Sequence, residues 1–195
     1  MEDPVPVRVR EYAEQAVEYV RRSVGLALEY DSDTLPLLDH YLRSVQGSAP
    51  EAMRLVIATA GAYFGEVVRR RLGGRWELLP GVEAAEWRVV LPTGLNFSPL
   101  GFAAAAIAQS EVEEFDSEFE APARMRPYVE QTLARMGEVP LEEYYSLCNR
   151  LDTLEHVHEV LVAVAAQMLG ENDTSGDVAD DVPVPVADEP SGVVN

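Results

Sequence analysis

The chain has 195 residues, and its dominant bulk property is a formal net charge of -19 at pH 7. All 15 basic side chains are arginines, against 34 acidic residues, so we expect binding to neither nucleic acid nor an anionic membrane. The apolar runs are shorter than the ~18 residues of a membrane-spanning helix, and no signal-like segment begins the sequence. The length suits one domain plus a tail, in a cytoplasmic protein.

Three helices are predicted before the first strand. Apolar residues recur at helical spacing over residues 12–28 and again over residues 35–45. The polar cluster at residues 31–34 separates these two helices and supplies a cap for the second. The third helix runs from about residue 50 to residue 72 and is the most apolar of the three.

The run from Gly61 to Trp76, the glycine–arginine segment, ends the third helix and begins a strand. Gly61 and Gly65 lie four residues apart, a spacing that lets another backbone approach one face of a helix. We favour close packing within the core over any role in a membrane. Gly73 and Gly74 supply the positive backbone angles that end the helix.

A short β-hairpin is predicted next. Residues 76–79 and 87–91 are rich in aromatic and aliphatic side chains and are joined by a proline–glycine turn. Ser98 and Pro99 are then well placed as the cap and first residue of a further helix.

The second half of the chain begins with a run of acids. Residues 111–120, the acidic loop, hold six acidic side chains interrupted by Val112, Phe115 and Phe119. We interpret this run as an exposed loop or a poorly ordered link whose two phenylalanines dock on the body of the protein. Helical patterns then resume over residues 124–136, 141–151 and 154–169.

Residues 171–195 contain no aromatic residue and carry seven acids with no base. This composition is typical of a disordered segment. We therefore predict one mainly helical α+β domain over residues 1–170, with one short antiparallel β-hairpin, followed by a disordered acidic tail at residues 171–195.

Glu66 is the acid with the most unusual surroundings, because it lies inside the apolar third helix. Arg69 and Arg70 follow three and four residues later, at the spacing of intrahelical ion pairs. If Glu66 is buried, it needs a hydrogen-bond partner such as a tyrosine hydroxyl or an arginine from another helix. We favour a structural role for Glu66 over a catalytic one.

The basic cluster consists of Arg69, Arg70, Arg71 and Arg75. Its position near the end of a helix lets its positive charge complement the helix dipole. A site for an anion or an acidic peptide is the alternative, and the acidic tail of the same chain is one candidate occupant.

The histidines do not form a known metal motif. His156 and His158 are two residues apart, whereas the helical zinc motif needs two histidines four apart. His158 could share a helix face with Glu155, but no third ligand is apparent. His40 follows Asp39, and adjacent residues on a helix do not face each other. We expect no metal, no cofactor and no catalytic set.

The glycine–arginine segment resembles a pattern of bacterial domain families of unknown function. The matching residues are Gly61–Glu66, Arg69–Arg70 and Gly73–Trp76, and the preceding residues 33–42 fit as the helix that packs against them. The resemblance covers residues 15–110 and implies a small α+β protein with a hairpin. Some relatives occur in toxin–immunity or regulatory settings, which implies binding rather than catalysis. It gives structural roles to Gly61, Gly65, Glu66, Gly73, Gly74 and Trp76.

The leading functional hypothesis is a non-catalytic interaction or adaptor protein that binds a more basic protein partner. It follows from the charge of residues 111–170, which carry 13 acids against 4 bases. One alternative is an immunity-type inhibitor of a toxin, whose acids mimic a nucleic acid. The other is a hydrolase or metal-dependent enzyme using Glu66, His40 or His158. Partner identity and oligomeric state are left open.

Overall fold

A computed structural model of the protein describes residues 5–78 and 86–174, with side chains described as far as Leu169. Over these residues the chain forms seven α-helices and a four-stranded antiparallel sheet, which confirms the predicted mainly helical α+β class. The turn of the predicted hairpin and residues 175–195 of the predicted tail lie outside the described residues. None of the described helices is both long enough and apolar enough to cross a membrane.

The first three helices lie close to their predicted positions. They are α1 (Val7–Val24), α2 (Leu35–Ser44) and α3 (Pro50–Leu72). The first helix ends earlier than predicted because Gly25 adopts a left-handed conformation, with φ of 82°. Gly73 ends α3 in the same way, with φ of 73°. The predicted positive angle at Gly74 is wrong; that glycine instead lies close to the Leu91 side chain, 3.0 Å from where its Cβ atom would be.

The sheet contains the predicted hairpin and two further strands. The strands are β1 (Arg75–Glu77), β2 (Arg88–Val90), β3 (Asn96–Phe97) and β4 (Phe119–Glu120), paired in that order. Trp76 pairs with Val89 in the hairpin, and Phe97 pairs with Phe119 at the other side of the sheet. The last two strands were not predicted, because two residues are too few for an alternating pattern to show.

The remaining helices differ from prediction near the end of the chain. They are α4 (Pro99–Ala108), α5 (Arg126–Met136), α6 (Leu141–Tyr144) and α7 (Leu147–Thr174). The α4 helix begins as predicted, with the Ser98 side chain accepting a hydrogen bond from the Gly101 backbone N–H. The predicted break between residues 151 and 154 is wrong, since the chain breaks before Leu147 instead. The α7 helix also crosses the predicted domain boundary at residue 170.

The start of α7 is fixed by a side chain from α2. Asp39 is 4% exposed, and its carboxylate accepts hydrogen bonds from the backbone N–H groups of Leu147 and Cys148, at 2.8 Å and 3.1 Å. Helix geometry leaves the first N–H groups of a helix without internal acceptors, and an acid there also complements the helix dipole. This long-range cap explains both the buried acid on α2 and the position at which α7 begins.

The core is built around α3, which packs against α1 and α4. Every residue of α3 from Val56 to Val68 is buried. The contact with α4 requires Gly61, because a Cβ atom there would lie 2.7 Å from the Cα atom of Leu100. Three phenylalanine rings from α3, β3 and α4 pack together beside this contact; they are Phe64, Phe97 and Phe102.

The acidic loop passes directly over the first turn of α4. A Cβ atom on Gly101 would lie 1.5 Å from the carbonyl oxygen of Asp116, so only glycine fits beneath the loop. On the outer side, Arg88 of β2 forms an ion pair with the Asp116 carboxylate at 2.7 Å. Phe115 and Phe119 are partly buried and pack against the core, as the sequence predicts. The loop is therefore held against the body from both sides.

Gly101→Ala tests the contact between the acidic loop and α4. Helix propensity alone predicts that alanine raises the free energy of unfolding by about 1 kcal/mol. The backbone clash predicts instead that alanine lowers the free energy of unfolding by about 1–3 kcal/mol. Urea unfolding distinguishes the two, and Ala163→Gly at an exposed position of α7 calibrates the propensity difference in this protein. A stabilised Gly101→Ala variant would show that the loop does not rest on this helix.

Candidate functional site

The glycine–arginine segment surrounds a buried carboxylate. Glu66 is 2% exposed, and the indole N–H of Trp76 donates a hydrogen bond to its Oε1 atom at 2.6 Å. The Nε atom of Arg69 donates to the same oxygen at 2.8 Å. The partners are thus an indole and an arginine one turn along the same helix, rather than a tyrosine or an arginine from another helix. Together they join α3 to β1.

Gly65 provides the space for this arrangement. A Cβ atom at Gly65 would lie 2.3 Å from the six-membered ring of Trp76 and 3.0 Å from Pro99. The ring can lie flat against α3 only because that position carries no side chain. The same indole packs edge to face against Trp87, with 6.4 Å between the ring centres. The segment therefore acts as a joint between helix and sheet.

Each arginine of the basic cluster contacts an acid or an aromatic ring of the same chain. The contacts are Arg69 with Glu66, Arg70 with Glu66 and the Tyr30 ring, Arg71 with Glu155, and Arg75 with Glu77. An anion binding here would have to compete with carboxylates that are already in place. The predicted contact with the acidic tail lies outside the described residues.

The residues of the enzyme hypothesis lie on three different helices. Glu66 is on α3, His40 is exposed on α2, and His158 is on α7. The Nδ1 atom of His158 lies 3.0 Å from the Thr93 hydroxyl, and partial burial lowers the pKa of this histidine. Across residues 5–78 and 86–174, no group of three or more His, Cys, Asp or Glu side chains is arranged to hold a metal ion.

The single cysteine, Cys148, lies at the start of α7 and is half-buried. Burial and the neighbouring Asp39 carboxylate both raise the pKa of its thiol. The thiolate is the reactive form of cysteine, so these surroundings disfavour nucleophilic chemistry.

A cavity of about 290 Å³ lies between the acidic loop and the helices α5, α6 and α7. The loop contributes Glu111, Ser117, Glu118 and Phe119. The helices contribute Val129 and Leu133 from α5, Tyr144 from α6 and Arg150 from α7. Four separate segments of the chain thus meet at one opening.

Arg150 is the unusual residue of this cavity, since it is 8% exposed and forms no ion pair within the described part of the chain. Its guanidinium lies 4.8 Å from the centre of the Phe102 ring and 4.9 Å and 5.7 Å from those of Tyr144 and Tyr145. Its Nε atom is buried and has no hydrogen-bond acceptor among the described residues. Burial lowers the pKa of Arg150, and Tyr144, Tyr145 and Glu111 oppose that effect. An arginine remains cationic under such a shift.

The sequence interpretation missed Arg150, although its spacing contains a signal. Leu147, Leu154 and Val157 are all buried on one face of α7. Arg150 comes three residues after Leu147 and four before Leu154, so it occupies a position on the same apolar stripe. A single charge at such a position needs compensation inside the fold, and the aromatic rings supply part of it.

The acidic face consists of the acidic loop, α5 and α6, which border this cavity together. All six acids of the loop are exposed, and only Asp116 among them forms an ion pair with another described residue. Glu130 on α5 and the two glutamates of α6 are exposed as well, and α5 also exposes Arg126 and Arg135. The face also exposes large apolar side chains, namely Leu133, Met136, Leu141 and Tyr144.

Comparison of the chain with protein-family models, with curated proteins and with solved structures gave no match. The resemblance of residues 15–110 to bacterial families of unknown function therefore stays a prediction. The functional argument rests on the charges, contacts and cavities of this chain.

Glu66→Ala tests the structural role of the buried carboxylate. The substitution removes the acceptor of the Trp76 indole N–H and the counter-charge of Arg69, whose side chain is 13% exposed. Breaking a buried pair in this way lowers the free energy of unfolding by about 2–4 kcal/mol. Urea unfolding followed by tryptophan fluorescence measures the loss.

Glu18→Ala is the matched control, because Glu18 also pairs with arginines three and four residues along its helix but does so at the surface. Glu18→Ala should lower the free energy of unfolding much less than Glu66→Ala does. Equal losses for the two variants would contradict the structural role assigned to Glu66.

Proposed function

We propose that the protein is a non-catalytic, cytoplasmic interaction protein that binds a more basic protein partner through the acidic face. One observation supports this proposal above the others. Each arginine of the basic cluster already pairs with an acid of the same chain, whereas the acids of the acidic face, apart from Asp116, have no ion-pair partner among the described residues. The acidic face therefore offers an external partner negative charge that is not already paired within the described residues.

The acidic loop is suited to recognition because it is held in place before any partner binds. Its backbone rests on Gly101, its Asp116 carboxylate pairs with Arg88, and Phe119 joins the sheet. A surface that is already ordered loses little conformational entropy on binding. The loop thus presents its carboxylates on a fixed frame.

The exposed apolar residues of the acidic face also favour a protein partner. Leu141 is 72% exposed and Tyr144 is 44% exposed, next to the glutamates of α6. Protein interfaces combine a desolvated apolar centre, enriched in tyrosine and methionine, with a polar rim. The acidic face has both parts, so we expect its partner to bring an apolar centre surrounded by arginine or lysine.

Electrostatic steering is the mechanism that this arrangement provides. Opposite charges across an interface accelerate association and select against partners of the wrong sign. Exposed charges are screened over about 10 Å at 0.1 M salt, so the effect depends on ionic strength. A negative face of this kind excludes nucleic acids and other acidic proteins.

The double variant Glu113→Gln/Glu114→Gln tests the acidic face. Both residues are exposed, and neither forms an ion pair with a described residue, so the fold should be unaffected. We expect the association rate constant for the partner captured from native cells to fall by roughly threefold to tenfold, with a weaker dependence on salt. Surface plasmon resonance at low and physiological ionic strength measures both quantities.

The double variant Glu11→Gln/Glu14→Gln is the control, since it removes the same charge from exposed positions on α1. It should leave binding nearly unchanged. Two outcomes would contradict the proposal: an affinity that does not respond to salt, or an equal loss of binding in both double variants.

A further inference from the structure

We propose that the cavity beside Arg150 binds a free α-amino acid with an apolar side chain. The proposal combines three features of this cavity: an arginine without a counter-ion, two rim carboxylates and an apolar wall. It concerns a small ligand and goes beyond the protein partner proposed above, whose acidic face borders the same cavity.

Arg150 provides the site for a carboxylate. It is 92% buried, it lines the cavity, and no carboxylate of the described residues lies within ion-pair distance of it. Aromatic rings offset only part of the cost of burying a charge. A planar guanidinium binds a carboxylate through two parallel hydrogen bonds. A ligand carboxylate in the cavity would therefore supply the counter-charge that the described residues do not place within ion-pair distance of Arg150.

The rim of the cavity selects against a purely anionic ligand. Glu111 and Glu118 also line the cavity, both are exposed, and neither forms an ion pair with a residue of the described ranges. Their charges repel phosphate, sulfate and dicarboxylates, whereas they attract an ammonium group. The combination of one buried guanidinium and two rim carboxylates thus matches a zwitterion.

The remaining wall indicates the side chain of that zwitterion. Phe119, Val129 and Leu133 present apolar surface, and Leu133 is 39% exposed, so this side of the cavity meets solvent. The volume of about 290 Å³ lies just below the range of roughly 300–1,000 Å³ typical of sites for drug-sized ligands. A ligand of the size of leucine or phenylalanine suits this space.

Calorimetric titration of the full chain with four amino-acid compounds, and with acetate and inorganic phosphate, tests the proposal. L-leucine and L-phenylalanine carry all three groups, L-leucinamide lacks the carboxylate, and N-acetyl-L-leucine lacks the ammonium group. We expect at least one of the two free amino acids to bind, and each modified leucine to bind about tenfold to hundredfold more weakly than L-leucine, because each loses a charge-assisted hydrogen bond.

Several results would overturn the proposal. One is that neither free amino acid binds. Another is that acetate or inorganic phosphate binds as tightly as L-leucine, which would reveal a simple anion site. A third is equal binding of N-acetyl-L-leucine, which would indicate recognition of a peptide C-terminus instead.

Variants of the cavity separate ligand binding from folding. Arg150→Met replaces the guanidinium with an apolar side chain and should abolish binding of L-leucine. Should that variant fail to fold, Glu111→Gln/Glu118→Gln is the alternative, because it changes only exposed positions. It should lower the affinity for L-leucine about tenfold and have little effect on the affinity for N-acetyl-L-leucine. The double variant Glu11→Gln/Glu14→Gln removes the same charge from exposed positions on α1, outside the cavity, and is the control. An equal loss of affinity for L-leucine in the two double variants would contradict a specific role for the rim carboxylates.

Discussion

The hydrogen bond from the Trp76 indole to the buried Glu66 carboxylate is the contact on which the rest of the structure depends. It fixes strand β1 against helix α3, with Gly65 leaving the space that the ring needs. The sheet that starts at β1 continues through β2 and β3 to β4, and β4 is the last part of the acidic loop. The position of the loop, and with it one wall of the Arg150 cavity, thus follows from the joint between α3 and β1.

The protein separates its charges by location. The arginines of the basic cluster are held by acids and aromatic rings of the same chain, so their role is to stabilise the joint between helix and sheet. The acids of the acidic face point to solvent from a loop that Gly101 and Arg88 hold in place. Arg150 differs from these arginines, because it is a buried cation among aromatic rings beside the acidic face. Its surroundings match a zwitterion better than a simple anion, because its neighbours at the rim are glutamates.

The parts of the fold that could be predicted are those encoded by nearby residues. Apolar periodicity placed the first three helices, and the glycines after α3 placed its end and the entry into β1. The start of α7 could not be predicted, because its cap, Asp39, lies 108 residues before Leu147, whose N–H group donates a hydrogen bond to it. The Arg150 cavity could not be predicted either, because it is assembled from four segments. Its one local signal, an arginine on the apolar stripe of α7, indicates a buried charge but not what surrounds it.

A double-mutant cycle on the free energy of unfolding tests the central claim, using Glu66→Ala, Trp76→Phe and the double variant. Trp76→Phe removes the indole N–H and keeps an aromatic ring against Gly65. We expect a coupling energy of about 1–3 kcal/mol between the two positions, because either single variant removes the hydrogen bond that joins them. Additive effects, with a coupling below about 0.5 kcal/mol, would show that this hydrogen bond does not join the helix to the sheet.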